Sequence, residues 1–376
     1  MAERDTRRGT LSTAAPPDLP HVGTPDSPPD LERGAPSRDA VDADLTASPL
    51  GVSSPGPTAG AGASTGRRGD RIFAGVTSAA GIFALVIIVA IFAFLVKEAV
   101  PALSANKGDF FGTRTVQITS DTSLKFGIPV LLAGTVVSSL IALLLAVPVA
   151  LGVALWVTQY AGKRVARPVG YLVDLLAAVP SVVYGLFGLF FLAPRFTAVQ
   201  KFLSVHLGWI PFFDKHRGGL VAGGTSLLLA GVILAVMIIP IIAAISREVF
   251  VQVPTANREA ALALGATRLE MIRMAVLPFS RAGVVSAVML GLGRALGETI
   301  AVALVLSTGN RLSLDVLGTG NSIAANIATQ FGEASAKGRG ALVSTGLVLF
   351  VITLVVNLMA RGIVYRSNHI STKGSA

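Results

Sequence analysis

The sequence predicts an all-α transmembrane protein in which six membrane-spanning helices follow a disordered N-terminal tail. Three observations support this prediction: an unusually apolar composition, a division of the apolar residues into six long segments, and a first segment of contrasting character. The 376-residue chain is 52% hydrophobic and 14% charged, whereas soluble domains carry about 25% charged residues. The net charge is +10. Because a basic charge is combined here with an apolar composition, it indicates a membrane protein more than a nucleic-acid-binding protein.

The predicted tail is residues 1–70. It holds 10 of the 20 prolines and, with 7 basic and 10 acidic residues, carries a net charge of −3. The tail contains no apolar run, so it cannot bury enough surface to offset the entropy lost on ordering. Its acidic start also excludes a secretory signal peptide. We predict a disordered cytoplasmic tail, with recruitment of a partner as the alternative to a featureless extension.

The predicted membrane domain is residues 71–370. It contains six apolar segments, each with about the 17–25 residues or more that a helix needs to cross a bilayer. The segments are Ile72–Val96, Gly127–Val157, Val169–Leu192, Leu220–Ile245, Ala282–Leu306 and Ala341–Met359. The alternative is six buried helices of a large soluble protein, which segments of this length and low charge disfavour.

The chain lacks the residues that several classes of enzyme require. It has no cysteine and four histidines, which excludes disulfide frameworks, thiolate metal sites and cysteine nucleophiles. It also lacks the phosphate-binding pattern G-x-x-x-x-G-K-S/T. We therefore expect no metal or cofactor in this chain, and energy for any transport would come from another chain or from an ion gradient.

The basic residues around the first segment predict the orientation of the chain. Arg67, Arg68 and Arg71 precede the segment, whereas Lys97 follows it beside Glu98. Cytoplasmic loops are enriched in Lys and Arg, so this bias places the N-terminus in the cytoplasm. Six spans then return the C-terminus to the same side.

The loop between the fourth and fifth segments, residues 246–281, predicts a helix, a glycine turn and a second helix. Pro254 is typical of the residue before a new helix, and Gly265 of the end of that helix. Thr267 can then cap a second helix that ends before Pro278. A short helical hairpin held between two spans could insert into a groove on a partner protein.

The spacing of Glu259-Ala260-Ala261, Gly265 and Val276-Leu277-Pro278 resembles the EAA loop of ABC importer permeases. In that family the loop is the coupling helix that docks into the ATPase subunit. The resemblance implies a six-span type I ABC importer permease, with Glu259, Ala260, Ala261 and Gly265 forming the ATPase contact. The alternative is an amphipathic connector without a partner.

The fifth segment contains two charged residues, Arg294 and Glu298. A charge at the centre of a bilayer costs about 2.5–3.5 kcal/mol on insertion scales, so Arg294 should face a cavity or a partner. In a continuous helix both residues share one side with Gly283, Ala287 and Gly291.

Two interpretations of this charged side stay open. Arg294 and Glu298 could form an ion pair one turn apart that fixes helix packing. Alternatively they could line a transport path, with the guanidinium donating to an oxyanion while Glu298 orients it, takes a proton or repels the anion. Gly293 and Gly297 border the same side and permit close contact with another helix.

Two sequence stretches are similar to the phosphate-specific importer permeases. One is Arg-Ala-Leu-Gly-Glu-Thr at 294–299, and the other is Val-Pro-Ser-Val-Val-Tyr-Gly-Leu-Phe-Gly at 179–188. The PstC branch of that group is the closer match, and the resemblance covers about residues 71–370. It implies that Arg294, Glu298 and Thr299 lie on the phosphate path.

Residue chemistry adds two candidates in the third segment, Ser181 and Tyr184. They lie three residues apart and could offer hydroxyls to the same anion. The alternative is a packed kink after Pro180 in which both hydroxyls are satisfied locally.

The resemblance also implies a complex. Its members would be a second, PstA-like permease, a PstB-like ATPase dimer and an extracytoplasmic, PstS-like phosphate-binding protein, all at the cell (inner or plasma) membrane. ATP would be used by the partner ATPase, and this chain would perform no covalent chemistry. Three other functions stay open: a permease for another oxyanion such as sulfate or molybdate, an ion-coupled secondary transporter, and a non-transporting membrane scaffold.

Four smaller expectations concern single residues and loops. Asp174 should form a salt bridge with a loop arginine, and Asn357 should bond another helix. Residues 195–213 should form a helix in the membrane interface, with Trp209 at the depth of the headgroups. The alternating run Thr113–Thr119 should pair as a small strand.

Overall fold

The computed structural model describes residues 63–106, 108–114, 116–117, 125–213, 222–307, 309 and 315–373. The predicted disordered tail lies outside this part of the chain, except for residues 63–70, which begin the first helix. The chain divides into two compact units, residues 1–74 and residues 75–376. The structure describes the start of the first helix in the former unit and all other elements in the latter.

Six helical rods are long and apolar enough to cross a membrane, as the sequence predicts. They span Gly69–Ala105, Pro129–Tyr160, Ser181–His206, Leu227–Val251, Arg268–Gly297 and Ala336–Gly362. The α-helices that make up the rods and their connections are α1 Ala63–Ala105, α2 Pro129–Leu155, α3 Lys163–Ala177, α4 Ser181–Phe187, α5 Ala193–His206, α6 Leu227–Val251, α7 Thr255–Ala263, α8 Arg268–Met271, α9 Leu277–Gly297, α10 Ile300–Val305, α11 Ile323–Gln330 and α12 Ala336–Lys373. Three π turns, Trp156–Tyr160, Gly188–Leu192 and Ile272–Val276, extend or join these helices.

The third rod begins later than the sequence predicts. The predicted segment Val169–Leu192 is wrong as a single helix, because α3 ends at Ala177 and Pro180 is extended, with φ −59° and ψ 140°. Proline lacks an N–H and disfavours helical backbone in the residue before it, which explains the break. The spanning rod starts at Ser181, and α3 is a separate helix.

The same rod replaces the interfacial helix predicted for residues 195–213. Residues 193–206 form α5, which continues the rod through a π turn, and Phe196, Gln200 and Ser204 are buried. The prediction of a separate helix lying in the interface is therefore wrong for this part of the segment.

The fifth rod differs from the sequence prediction at both ends. The helix capped by Thr267 does not end before Pro278, because the rod runs without interruption from Arg268 to Gly297. The π turn Ile272–Val276 ends two residues before Pro278, and its wider backbone gives the proline ring room within the helix. At the far end Glu298 is extended, with φ −69° and ψ 127°, and the helix resumes only as α10.

The core of the described fold surrounds α6. This helix is buried over most of its length, unlike the other rods, and packs against α2, α3 and α9. Small residues bring the helices close together, because Gly283 and Gly291 of α9 lie against Val249 and Ile242 of α6.

Large apolar side chains cover the outer surfaces of the other rods. Phe83, Leu144, Phe190 and Leu358 are examples that no other part of the described chain buries. Lipid tails or partner helices are the expected covering of such a surface. Together with the six rods, it is the surface of a multi-pass membrane protein.

A small sheet and a cap lie at the end of the fold where α2 begins. Strand β1, Val116–Gln117, pairs antiparallel with β2, Lys125–Phe126, which confirms the predicted strand at its described residues. The start of α11 closes on the first turns of α2. There the Ile323 N–H donates to the Thr135 hydroxyl oxygen at 2.9 Å.

Candidate functional site

Arg294 lies in the last turns of α9 and lines an open cleft of about 540 Å³. The other described lining residues are Ile241, Met289, Leu290, Gly293, Thr353 and Asn357, from α6, α9 and α12. Arg294 forms no hydrogen bond or ion pair within the described part of the chain. Its guanidinium therefore has all of its donors available in a cleft whose walls are otherwise mostly apolar.

Asn357 is the other polar residue of this cleft that lacks a hydrogen bond among the described residues. The predicted bond to another helix is therefore not formed within this part of the chain. Thr353, by contrast, donates its hydroxyl proton to the Phe350 carbonyl oxygen at 2.9 Å. The Thr353 hydroxyl proton is therefore committed to the backbone, whereas the donors of Arg294 and Asn357 are available in the cleft.

Of the two interpretations left open for Arg294 and Glu298, the ion pair is not formed in the described structure. Glu298 follows Arg294 by four residues, at the point where α9 ends and the backbone turns extended. The Glu298 carboxylate instead accepts the N–H of Ala301 at 3.3 Å, at the start of α10. Thr299 donates its hydroxyl proton to the Gly297 carbonyl oxygen at 3.2 Å.

Tyr184 and Ser181 lie near this break but not in the cleft. The Tyr184 hydroxyl donates to the Leu176 carbonyl oxygen at 2.8 Å, which leaves only lone pairs for another ligand. Arg294 lies near enough to Tyr184 to interact with it electrostatically. Ser181 is half-buried at the start of α4 and makes no hydrogen bond among the described residues. Of the two hydroxyls, only that of Ser181 can still donate to an anion without rearrangement.

The stretch singled out in the third segment, residues 179–188, contacts α10, the helix that follows the stretch at 294–299. A Cβ added to Gly185 would lie 2.9 Å from the Ala301 Cα, and one added to Gly188 would lie 2.6 Å from a methyl group of Val305. Close packing of α4 on α10 therefore requires glycine at both positions. The helix break at residues 298–299 is held in place by this packing.

The glycines on α9 divide between two sides of the helix. Gly283 and Gly291 face α6, whereas a Cβ added to Gly293 or Gly297 would have no neighbour within 4 Å in the described structure. The small residues predicted to share a side with Arg294 therefore pack mostly against α6 of this chain. Gly293 and Gly297 leave the surface beside Arg294 open to a helix from another chain.

A helical hairpin is formed by α7, which follows the fourth rod, and α8, which is the first turn of the fifth rod. At the end of α7 the Ala266 N–H donates to the Ala261 carbonyl oxygen at 3.2 Å, and the Gly265 N–H to that of Leu262 at 3.0 Å. These are the two bonds of a Schellman motif, in which Gly265 takes a φ of +83°, a region that favours glycine. The predicted glycine turn is confirmed.

The second helix of the hairpin begins with a reciprocal cap. The Glu270 N–H donates to the Thr267 hydroxyl oxygen at 3.4 Å, and the Thr267 N–H donates to the Glu270 carboxylate at 2.8 Å. This capping box confirms the predicted role of Thr267. Two capped ends on either side of Gly265 make the turn between the helices well defined.

The four predicted coupling residues do not share one surface. Glu259, Ala260 and Gly265 are exposed, whereas Ala261 packs against the cluster formed by Phe250, Val253, Met271, Ile272 and Val276. The sequence prediction missed Leu264, which is 90% exposed directly before the glycine turn. The available signal was the set of three leucines in one short loop, Leu262, Leu264 and Leu269, all of which are exposed, because several exposed apolar residues indicate an interaction site and a single one does not.

The predicted salt bridge of Asp174 is confirmed. Arg247, near the end of α6, donates to both carboxylate oxygens of Asp174 at 3.1 and 3.2 Å. The pair fixes α3 to the end of α6 from which the hairpin continues.

One family model and several curated relatives match most of the membrane domain. The family described as "Binding-protein-dependent transport system inner membrane component" matches residues 146–368. The protein of Mycobacterium tuberculosis named "Phosphate transport system permease protein PstC 2" is 48% identical over 299 residues, covering 79% of this chain and 92% of that protein. The "Phosphate transport system permease protein PstC" of Mycobacterium leprae is 45% identical over 272 residues, covering 72% and 85%. A solved bacterial ABC transporter involved in the import of the acidic polysaccharide alginate aligns with a TM-score of 0.48 and 18% identity, over 79% of this chain and 99% of that one.

Proposed function

The chain belongs to the family of inner membrane components of binding-protein-dependent transport systems, and from this premise we propose that it is the permease subunit of an ATP-driven inorganic phosphate importer. The relatives named as phosphate permeases match most of the chain at 45–48% identity. The observation that carries the proposal is Arg294, which has no partner among the described residues and lines an open cleft between spanning helices. The chain is not itself an enzyme.

Arg294 suits the recognition of a phosphate ion. Its planar guanidinium can donate two parallel hydrogen bonds to one oxyanion, and its charge compensates that of the anion in a medium where either alone is costly. Asn357 adds a neutral amide donor on the opposite wall. A single fixed charge binds the anion without holding it permanently, which passage through a path requires.

Half of the path is contributed by this chain. The Arg294 side chain is exposed, and Gly293 and Gly297 leave room beside it for another helix. A second, PstA-like permease would supply the facing wall and enclose the cleft. Ser181, Glu298 and Thr299 shape the path at the helix break, and Tyr184 supports it from α4.

The hairpin couples the path to ATP hydrolysis. Glu259, Ala260, Gly265 and Leu264 would enter a groove on a PstB-like ATPase dimer, while Ala261 keeps α7 against the membrane domain. ATP is used in that partner, and no cofactor is held by this chain. A PstS-like binding protein would deliver phosphate at the extracytoplasmic side, and the hairpin and both termini would lie in the cytoplasm.

Uptake of radiolabelled phosphate into vesicles that contain the purified complex tests the proposal. We expect ATP-dependent uptake that unlabelled phosphate inhibits and that an equal concentration of sulfate or molybdate does not. Inhibition by sulfate or molybdate but not by phosphate would assign another oxyanion. Uptake without a co-purifying ATPase that collapses with the proton gradient would identify a secondary transporter, and unchanged uptake by Arg294→Ala would favour the scaffold.

A further inference from the structure

A second cleft, of about 400 Å³, lies between the ends of α2 and α6 and the length of α3. Among its lining residues are Lys163, Arg167, Tyr171, Asp174 and Arg247. It shares no lining residue with the cleft of Arg294. It lies at the end of the fold from which the α7–α8 hairpin extends, because α6 ends at Val251 and the hairpin begins at Thr255.

The cleft holds two cations whose charges are not neutralised within the described structure. Arg247 is held by both oxygens of Asp174 and also lies 3.5 Å from the carboxylate of Glu248. Lys163 and Arg167, by contrast, form no ion pair or hydrogen bond among the described residues. The acidic residue of the cleft is therefore committed to one arginine, and the other two cations are available to an anion.

The helix α3 brings these cations to the same face. Lys163, Arg167 and Asp174 follow one another at spacings of four and seven residues, which places them along one side of a helix. Gly170 belongs to the same side, and a Cβ there would overlap the Nη1 atom of Arg247. Glycine thus allows the guanidinium of Arg247 to reach the floor of the cleft.

The opposite face of α3 is apolar and exposed. Val165, Leu172 and Leu175 are exposed there, whereas the polar face is turned toward α6. A helix of a soluble protein has the reverse arrangement. The exposed apolar face indicates that α3 lies against lipid, with its polar face turned inward to the cleft.

Aromatic residues around the cleft indicate its depth in the membrane. Trp156 and Tyr160 lie at the end of α2, and Tyr171 lies on α3, all with exposed side chains. Tryptophan and tyrosine concentrate where lipid tails meet the headgroups. The cleft therefore opens at the level at which the phosphate groups of one leaflet lie.

We propose that this cleft binds a phosphate-bearing anion at the headgroup level, with Lys163 and Arg167 pairing with the phosphate oxygens. Basic pockets between spanning helices bind anionic lipid headgroups in this way. The phosphate group comes from an anionic phospholipid or from inorganic phosphate in solution. The site does not depend on the transport path, and its occupancy would hold α3 against the end of α6 that leads into the hairpin.

The test compares Arg167→Gln with Arg164→Gln in the full-length chain within its purified complex. The two arginines are three positions apart on α3 and both exposed, but only Arg167 lines the cleft. One arm measures retention of phosphatidylglycerol against phosphatidylcholine by native mass spectrometry. The other arm titrates inorganic phosphate calorimetrically in nanodiscs of phosphatidylcholine.

We expect Arg167→Gln to weaken binding about fivefold, the factor that corresponds to roughly 1 kcal/mol per basic residue at an anionic surface, while Arg164→Gln resembles the wild type. A loss confined to phosphatidylglycerol identifies a lipid site, and a loss confined to the phosphate titration identifies a site for the free ion. Both variants leave the transport path unchanged, so any phosphate bound there contributes equally to the two titrations and does not affect their difference.

Equal binding by the two variants in both arms would overturn the proposal. Should Arg167→Gln prevent assembly of the complex, Lys163→Gln and Arg167→Lys replace it. The former removes a cation from the same wall and should weaken binding to a similar extent, whereas the latter keeps the charge and should retain most of the binding. Wild-type binding by Lys163→Gln, or a loss in Arg167→Lys as large as the loss in Lys163→Gln, would also contradict the site.

Discussion

The carboxylate of Glu298 accepts a hydrogen bond from the backbone N–H of Ala301, at 3.3 Å, and not from the guanidinium of Arg294. This bond satisfies one of the free N–H groups at the start of α10. Glu298 thereby stabilises the helix break on which the shape of the path depends. Arg294 keeps its donors available for the transported anion.

Replacement of Glu298 separates its two properties, the acceptor oxygen and the charge. Glu298→Gln keeps an acceptor for the Ala301 N–H, so we expect phosphate uptake within about threefold of wild type, a factor that corresponds to about 0.6 kcal/mol and is smaller than a typical whole hydrogen bond. Glu298→Ala removes the acceptor and should reduce uptake further. A Gln variant as inactive as the Ala variant would show that the negative charge itself is needed for transport.

The sequence was sufficient to predict those features that short stretches of chain determine. Six apolar segments correspond to six rods, Gly265 forms the predicted turn, and Thr267 caps the predicted helix. Each depends on local chemistry: burial of apolar surface, the left-handed conformation of glycine, and a hydroxyl at a helix start.

The positions of the helix breaks could not be predicted, because some prolines in this chain end a helix and others lie within one. Pro180 separates two helices, whereas Pro148 and Pro240 lie inside helices and Pro278 lies just after a π turn in a continuous rod. What differs is tertiary packing, since α4 is held against α10 by the contact of Gly185 with Ala301. A pattern of residues along one segment contains no information about that contact.

The positions of the site residues were predicted only in part for the same reason. The assumption of one continuous helix paired Glu298 with Arg294, whereas the Glu298 carboxylate bonds to the Ala301 N–H beyond the helix break. The coupling motif likewise did not reveal that Ala261 faces the cluster under α7 while Leu264 faces outward. Side-chain direction in short capped helices depends on the neighbours against which they pack.

Gly134 provides a test of the packing at the start of α2. A Cβ at this position would overlap the carbonyl oxygen of Asn321, whereas a Cβ at Gly152 on the same helix would meet nothing within 4 Å. We expect Gly134→Ala to destabilise the protein by about 1–3 kcal/mol, and Gly152→Ala to be neutral or stabilising by about 0.5–1 kcal/mol. Thermal unfolding of the purified protein in detergent measures both, and equal midpoints would contradict the contact.

Gly265 tests whether the shape of the hairpin matters for coupling. At a φ of +83° an alanine costs about 1–2 kcal/mol, because its Cβ approaches the following carbonyl oxygen. We expect Gly265→Ala to reduce ATP-driven uptake, and Gly265→Asn, which tolerates this conformation better, to retain more of it. Gly332→Ala is the control, since its Cβ would meet no neighbour and its φ is not positive. Equal uptake by all three variants would exclude a role for the turn geometry.

Glu259 tests the docking surface of α7. It is exposed and makes no ion pair among the described residues, so reversal of its charge should leave the fold of this chain intact. We expect Glu259→Lys to weaken association with the ATPase by at least about tenfold, or 1.4 kcal/mol, measured by the ATPase retained on gentle purification. Glu333→Lys reverses another exposed charge outside the hairpin and should have no effect. Equal retention in both variants would count against the coupling assignment.

Arg294→Lys tests the donor geometry of the path. Lysine keeps the positive charge but replaces the planar fork with a single ammonium, so a bidentate bond to phosphate is lost. A charge-assisted hydrogen bond contributes about 1.5–3 kcal/mol, and we therefore expect uptake to fall by at least about tenfold while the complex assembles normally. Arg281→Lys, at the exposed start of α9, is the matched control and should transport like the wild type. If Arg294→Lys transported phosphate as well as Arg281→Lys does, the charge alone would be sufficient, and the planar donors of Arg294 would not be what recognises phosphate.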